Sequence, residues 1–237
     1  MSKEFECRRE VVLPTDPERV WEAVSTPEGL LAWQFPSPID SLRDVATVWD
    51  EPHHLGIRME QGDWFNALEY VIEARSGGTS VLRYMHSGIF TDDWDAQYDA
   101  VQQHTDFYLH TLGQYLEFFD RMPATYIGDV PGGLQGPARS AEPDGFKRLE
   151  QALGLATTMA TGDKVELTPA GLDPIAGVVD YRQPNFLGIR TSSALYRFFG
   201  RNAFGSPVGM SIHIFGRIDD ADAVKDQWQE WLDRTLA

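Results

Sequence analysis

Tyrosine and histidine side chains are the residues of this sequence whose types and spacing favour chemistry. Tyr84 and His86 stand in one predicted strand, Tyr70 in the strand before it, and Tyr108 in a predicted helix. An imidazole with a pKa near about 6.5 exchanges protons at neutral pH, and a tyrosine hydroxyl can donate to a carbonyl. The set indicates either acid–base chemistry or ligand recognition. A strand-end histidine is more often a hydrogen-bonded structural residue, so both interpretations stay open.

Other residues that could hold a metal favour structural roles. His53 and His54 are adjacent, so their side chains would point to opposite sides of an extended chain. Asp92, Asp93 and Asp95 stand at the predicted start of a helix, where carboxylates cap backbone N–H groups. We therefore predict no metal site.

Sequence motifs of the well-marked enzyme classes are missing. Cys7 has no CxxC partner, and no Lys-Ser/Thr pair follows Gly132, Gly133 and Gly136, which excludes a phosphate-binding loop. The sequence also lacks the G-x-S-x-G and H-E-x-x-H motifs. We predict no cofactor, although an enzyme without a short motif stays possible.

Composition limits the partners and the compartment. The chain has 237 residues and a formal charge of −16, with 36 acidic and 20 basic residues. Such a surface repels phosphate groups, so nucleic acid and anionic membranes are poor partners. A single cysteine, a charged N-terminus and the lack of an apolar run of about 20 residues predict a cytoplasmic protein.

The elements that must position the tyrosines and His86 follow from hydrophobic periodicity. A strand over residues 5–13 precedes a helical stretch that begins at Pro17 and ends before Pro36. Short extended runs then alternate with turn sequences, which predicts an antiparallel meander. These runs cover residues 45–49, 54–59, 66–75 and 79–86. A long helical pattern follows and runs to about residue 119.

The second half shows the same order of elements after a segment rich in proline and glycine. We predict a strand over residues 125–130 and a helix over 145–155, and a closing helix over 221–236. The strands between the two helices are predicted at residues 164–167, 175–181, 186–190, 194–199 and 208–215. A domain boundary near residue 122 gives two modules, 1–122 and 123–237.

Residue matches between the halves predict a tandem repeat. The segments 52–58 and 184–190 are identical at five of seven positions. Residues 78–86 align loosely with 205–213, which makes His213 the counterpart of His86, and 99–101 align with 222–224. Three matches in the same order favour duplication over coincidence.

The first half resembles the START-like (SRPBCC) superfamily, in the branch of homologues of the heat-shock-protein ATPase activator. The resemblance covers roughly residues 5–119, with a Glu-Pro-x-x-Leu turn at 51–55 and a strand ending in Met-His-Ser-Gly at 85–88. The opening helix carries the motif residues Val20, Trp21, Ala23, Val24, Thr26, Pro27, Glu28, Leu31 and Trp33 after Pro17. The family usually has two further strands between Trp33 and Val45, and this segment is too short for a full pair. We therefore expect a smaller sheet, or completion by the second module.

The resemblance implies an α+β fold of two tandem helix-grip modules, each a curved antiparallel sheet packed on a long C-terminal helix. In that fold an apolar cavity between sheet and helix suits a hydrophobic or aromatic ligand. Strand and helix phase place the following residues at the cavity: Trp33, Trp49, Met59, Leu68, Tyr70, Ile72, Tyr84, His86, Thr105, Tyr108 and Leu112. Filling an ordinary core is the competing interpretation, above all for the aliphatic members.

Three functions stay open at this point. The first is non-catalytic binding of a small hydrophobic ligand, with the N-terminal module as the first place to look. The second is an enzyme that resembles polyketide aromatase/cyclases and uses tyrosine and histidine as acid–base groups. The third is a co-chaperone-like module for a protein partner. The sequence is consistent with a monomer whose modules form a pseudo-dimer and with a homodimer.

Overall fold

The chain folds into two compact units, Met1–Met122 and Pro123–Ala237. A computed structural model describes residues 3–36, 41–90, 94–130 and 139–237. In each unit an antiparallel sheet is followed by a long C-terminal helix. The fold class is therefore α+β, with a helix-grip layout in both units. Asp92, Asp93, Gly132, Gly133 and Gly136 lie outside the described residues.

The sheet of the N-terminal unit has the strand order β1-β5-β4-β3-β2. Its strands are β1 (Lys3–Leu13), β2 (Ala46–Asp50), β3 (His54–Gln61), β4 (Trp64–Arg75) and β5 (Thr79–Phe90). Its helices are α1 (Pro17–Ser25), α2 (Pro27–Leu31), the short α3 (Leu42–Val45) and α4 (Trp94–Phe118). Because residues 42–45 form a helical turn, the described residues between α2 and β2 add no strand, and the sheet is small.

Local capping explains where the first two helices begin. The Asp16 side chain accepts from the backbone N–H of Arg19 at 2.9 Å, and the Thr26 hydroxyl accepts from that of Gly29 at 3.0 Å. A proline occupies the first turn of each helix. The Trp33 indole N–H then donates to the Ala23 carbonyl at 2.9 Å, which anchors the chain after α2 against α1.

Strand register decides which side chains of the first sheet face α4. Tyr84 pairs with Tyr70 on one side and with Arg9 on the other. Residues directly opposite in neighbouring strands share a face of the sheet. The Arg9 guanidinium donates to the Asp106 carboxylate of α4, with Nη2 to Oδ2 at 3.1 Å. This ion pair identifies the face of the sheet that carries Tyr70 and Tyr84 as the face that packs on α4.

The sheet of the C-terminal unit has the order β6-β11-β10-β9-β8-β7. Its strands are β6 (Ala124–Val130), β7 (Lys164–Leu167), β8 (Ile175–Gln183), β9 (Phe186–Arg190), β10 (Ala194–Phe199) and β11 (Gly209–Phe215). Its helices are α5 (Gly145–Ala152) and α6 (Ala221–Leu236), with a 3-10 turn at Arg201–Phe204.

Aromatic side chains fill the space between sheet and helix in the C-terminal unit. Trp228 of α6 lies 6.0 Å from the Tyr196 ring, 6.2 Å from Phe198 and 5.4 Å from Trp231, measured between ring centroids. Trp228 and Trp231 are both buried, as is Phe198. This interior is a packed core.

One of the three repeat matches agrees with the strand phase in both units. Leu55 and Ile57 of β3 pair with Tyr70 and Leu68, on the face that packs on α4. Their aligned residues in β9, Leu187 and Ile189, belong to the core that also contains α6. The two strands hold corresponding places in their sheets, third from β1 and third from β6. Duplication stays a prediction.

The predicted equivalence of His213 with His86 is wrong. Tyr196 of β10 packs on Trp228 of α6, and its partner in the register is Ile212. His213 therefore lies on the opposite face from α6, whereas His86 lies on the face that packs on α4. The loose alignment is off by one residue, and such a slip exchanges the two faces of a strand.

Candidate ligand-binding cavity

A cavity with two adjoining lobes lies between the sheet and α4 in the N-terminal unit. Four residues line both lobes: Gln34 and Phe35, which follow α2, and Asn66 and Leu68 of β4. We call these four residues the shared wall. Phe35 is 44% exposed, so the shared wall reaches the protein surface at this side chain.

The first lobe has a volume of about 190 Å³ and lies against α4. Beyond the shared wall it is lined by Trp33, Tyr84, His86, Val101, His104, Thr105, Tyr108 and Leu109. The ring of Tyr108 packs edge-on against Phe35, with centroids 6.0 Å apart. The lobe is thus bounded by aromatic rings and by a few polar groups from β5 and α4.

The second lobe also has a volume of about 190 Å³ and lies against α1 and β3. Its lining beyond the shared wall is almost entirely apolar: Val24, Leu30, Leu42, Ile57, Met59 and Tyr70. Met59 is 40% exposed, so this lobe too approaches the surface. The hydroxyl of Tyr70 is its polar group besides the amides of the shared wall.

His86 is a neutral hydrogen-bonding residue at neutral pH. Burial lowers the pKa of its imidazole to about 4, because the charged form loses hydration. Its Nε2 lies 2.7 Å from Asn66 Oδ1. With the Asn66 amide placed this way, Nε2 donates to Oδ1 and Nδ1 carries the lone pair. His86 also packs edge-on against Phe5, with centroids 5.0 Å apart.

Tyr84 belongs to a buried hydrogen-bonded group with Thr105 and Cys7. Burial raises the pKa of the Tyr84 hydroxyl well above its usual value, and a hydrogen bond with Thr105 opposes the rise. Burial likewise raises the pKa of the Cys7 thiol, which Thr105 also contacts. Both groups therefore stay protonated at neutral pH, and neither is activated as a nucleophile.

Tyr70 differs from Tyr84 in its hydrogen bonding. Its side chain is 2% exposed and meets the Tyr84 ring edge-on at 5.2 Å. Burial alone raises the pKa of its hydroxyl, with no opposing hydrogen bond. Within the described part of the chain this hydroxyl has no hydrogen-bond partner, and it borders the second lobe. It is a polar group that is available to a ligand.

The structure brings eight of the predicted site residues to the cavity. They are Trp33, Leu68, Tyr84, His86, Thr105 and Tyr108 in the first lobe, and Met59, Leu68 again and Tyr70 in the second. Trp49, Ile72 and Leu112 lie outside the lining of both lobes. Ile72 and Leu112 are fully buried core residues, and Trp49 packs on Trp21 with centroids 5.1 Å apart.

Sequence reasoning missed several lining residues, among them Gln34, Phe35, Asn66 and His104. Asn66 has the same strand parity as Leu68 and Tyr70, so alternation along β4 could have found it. His104 directly precedes Thr105 in the helical pattern. For Gln34 and Phe35 no signal was available, because the chain here is neither helix nor strand.

The cavity is suited to binding an apolar molecule. Its described lining contains no Asp, Glu, Lys or Arg side chain. Within the described ranges, no group of three or more His, Cys, Asp or Glu side chains could hold a metal ion. Among the helices described, none is both long and apolar enough to cross a membrane.

Comparisons with known proteins return likenesses in structure alone. No protein-family model matches the chain, and no curated protein sequence matches it. DynU16, a putative protein in the dynemicin biosynthetic locus, is 14% identical over 98% of this chain and 95% of its own, with a TM-score of 0.39. The di-domain ARO/CYC BexL from the BE-7585A biosynthetic pathway is 9% identical over 98% of both chains, with a TM-score of 0.40.

A shorter structure matches about half of the chain. The Aha1 dimer from Colwellia psychrerythraea is 16% identical over 48% of this chain and 96% of its own, with a TM-score of 0.40. At these identities and TM-scores the likenesses carry no argument about ligand, partner or activity. The helix-grip layout of both units rests on the strand orders and helices described above.

Proposed function

We propose that the N-terminal unit binds a small hydrophobic or aromatic ligand in the cavity between its sheet and α4, without catalysis. The observation that carries this proposal is the pair of adjoining apolar lobes with a few inward-facing polar groups. Binding sites for small molecules combine an apolar lining with a small number of placed polar groups. The packed core of the C-terminal unit directs the proposal to the N-terminal unit.

The lobe volumes support a ligand of small size. An apolar cavity of about 150 Å³ is large enough to hold benzene. Each lobe, at about 190 Å³, therefore accommodates a substituted ring. Burying apolar ligand surface contributes roughly 25 cal/mol per Å², before the loss of ligand freedom is subtracted. Micromolar affinity for a ligand that fills the cavity is consistent with these magnitudes.

The protonation states of the lining favour binding over proton transfer. A general base is most effective when its pKa is close to the working pH. The pKa of His86, about 4, makes it a weak base at neutral pH. The raised pKa of the Tyr84 hydroxyl makes it a hydrogen-bond donor and a weak acid. Both groups are suited to orienting a ligand.

An aromatase/cyclase-like enzyme is the second candidate, favoured by one observation. Tyr84, His86 and Tyr108 line the same lobe, as such an enzyme would require. Mass spectrometry of bound ligands before and after long incubation separates the two proposals. Conversion of the ligand by wild type, and its loss in Tyr84→Phe or His86→Gln, would favour the enzyme over the binding protein.

We also infer that the chain is a divergent tandem of START-like modules related to the heat-shock-protein ATPase activator branch. The motif residues of the first half and the β3/β9 match in strand phase support this inference. In this view the aromatic residues of α6 have closed the cavity of the second copy. The protein-partner function has no supporting observation among the described residues.

Binding can be tested with N-phenyl-1-naphthylamine, an uncharged dye that fluoresces more strongly in apolar surroundings. We expect saturable binding by wild type and loss of binding in Leu68→Trp, because Leu68 belongs to the shared wall. Val12→Trp is the matched control, since Val12 lies on the outer face of the sheet and is 55% exposed. This control should bind like wild type.

Two outcomes would contradict the proposal. The first is no saturable binding of the dye, or of any member of a panel of uncharged aromatic compounds, by folded wild type. The second is equal binding by wild type and folded Leu68→Trp. Far-ultraviolet circular dichroism checks that each variant is folded.

A further inference from the structure

The described lining of the cavity offers no counter-ion to a charged ligand. No acidic or basic side chain contributes to either lobe. Arg9, on the same face of the sheet, is occupied by both carboxylate oxygens of Asp106. A carboxylate or ammonium buried here would lose its hydration without a charged partner, which is strongly unfavourable. The cavity therefore selects against charged molecules.

Amide groups stand where the two lobes meet. Gln34 and Asn66 both belong to the shared wall. Asn66 uses Oδ1 in its bond with His86, which leaves its N–H donors available. The Gln34 side-chain amide makes no hydrogen bond within the described residues. Polar donors thus lie at the middle of the cavity, between two apolar ends.

The dimensions of the lobes match one aromatic ring each. A ligand confined to one lobe would leave the other, of equal volume, without a partner for its apolar lining. Unfilled apolar volume forfeits dispersion contacts. A molecule with a ring in each lobe would bring the atoms between its rings beside Gln34 and Asn66.

From this arrangement we propose that the ligand is an uncharged molecule with two aromatic rings flanking one carbonyl or hydroxyl group, which the amides of Gln34 and Asn66 bind. This inference rests on the proposed function and specifies the ligand class of the same site. The polar group of the ligand occupies the middle of the cavity, and its rings occupy the two lobes. Thr105, Tyr108 and the Tyr70 hydroxyl lie farther along the lobes, where they select ring substituents.

Displacement of bound N-phenyl-1-naphthylamine by four commercial compounds tests the proposal. Benzophenone has the proposed form, diphenylmethane lacks its carbonyl, acetophenone lacks one ring, and 4-benzoylbenzoate adds a carboxylate. We expect benzophenone to bind about 3- to 10-fold more tightly than diphenylmethane, the range that one neutral hydrogen bond contributes. Acetophenone should bind at least about 10-fold more weakly than benzophenone, and 4-benzoylbenzoate at least about 100-fold more weakly.

The double variant Gln34→Leu/Asn66→Leu tests where the carbonyl lies. We expect it to bind benzophenone and diphenylmethane equally, with diphenylmethane affinity close to that of wild type. Gln151→Leu is the matched control, because Gln151 is exposed on α5 of the other unit. Near-ultraviolet irradiation of bound benzophenone forms a carbon–carbon bond to a nearby side chain. Peptide mapping should locate this bond on lobe residues such as Leu68 or Met59.

The wild-type affinities alone are enough to overturn the inference, even where the double variant does not fold. Equal affinities for benzophenone and diphenylmethane would remove the role of the amides. Tight binding of 4-benzoylbenzoate would remove the selection against charge, and tight binding of acetophenone would remove the two-ring requirement. In each of these cases the dye still binds, so the proposed function stands. Absence of dye binding is the separate result that removes the proposed function.

Discussion

Removal of the Tyr70 hydroxyl distinguishes a group that holds the fold together from one that is available to a ligand. Tyr70 is 2% exposed, and its hydroxyl has no hydrogen-bond partner among the described residues. Burying a hydroxyl without a hydrogen bond costs roughly 1–3 kcal/mol in proteins. We therefore expect Tyr70→Phe to leave the free energy of unfolding unchanged or to raise it by up to about 1 kcal/mol.

Tyr84→Phe is the matched comparison, because Tyr84 is equally enclosed and meets the same ring cluster. Its hydroxyl has a hydrogen bond with Thr105. Removing this hydrogen bond should lower the free energy of unfolding by about 0.5–1.5 kcal/mol. The two substitutions delete the same atom from neighbouring strands, so the difference between them isolates the hydrogen bond.

Equilibrium unfolding in urea measures both effects, with the midpoint and the slope fitted separately. The chain has two compact units. If they unfold in separate steps, the step that Tyr84→Phe shifts is the one that reports on the N-terminal unit. A loss of more than about 1.5 kcal/mol in Tyr70→Phe would refute the reasoning, because it would show that the hydroxyl is satisfied within the protein. Equal losses in both variants would refute it too.

Two further predictions concern pH and backbone packing. The pKa of His86 is about 4 in the folded protein and about 6.5 when unfolded, so the unfolded state binds the extra proton and stability falls between pH 6.5 and 4. Wild type should therefore lose up to about 3 kcal/mol more than His86→Gln across this window, measured by urea unfolding at each pH; parallel curves would contradict the pKa shift. Gly29→Ala should lower stability by more than about 2 kcal/mol, because its Cβ would lie 2.2 Å from the Glu22 carbonyl oxygen. Gly113→Ala within α4 should instead raise stability by about 0.5–1 kcal/mol, since its Cβ would meet Leu13 at 3.9 Å; thermal unfolding of the pair should give shifts of opposite sign.

Strand parity allowed much of the candidate site to be predicted. Leu68, Tyr70 and Ile72 alternate with polar residues, and they lie on one face of β4 as expected. Parity could not tell which of them lines a cavity. Leu68 borders both lobes, whereas Ile72 is enclosed in the core. The difference depends on how far the residues after α2 cover β4, and local sequence carries no information on that distance.

Alignment of the two halves shows a second limit. Residues 52–58 and 184–190 match closely, and their strand phases agree. The looser match that relates His86 to His213 fails by one residue, which places the two histidines on opposite faces. Only the hydrogen-bonded register shows this, because loop lengths absorb single-residue shifts without leaving a mark in composition.

The sequence by itself determined the order of strands and helices, the α+β class and the face of each strand that turns inward. These features follow from the period of two in strands, the period of 3.6 in helices, and the turn and capping residues between them. The tertiary structure alone decided that the N-terminal unit keeps a cavity while the C-terminal unit is filled by Trp228 and Trp231. It also decided that Gln34 and Asn66 meet at the middle of that cavity. Both outcomes depend on the volumes and positions of side chains that are distant in sequence, and only packing in three dimensions brings these together.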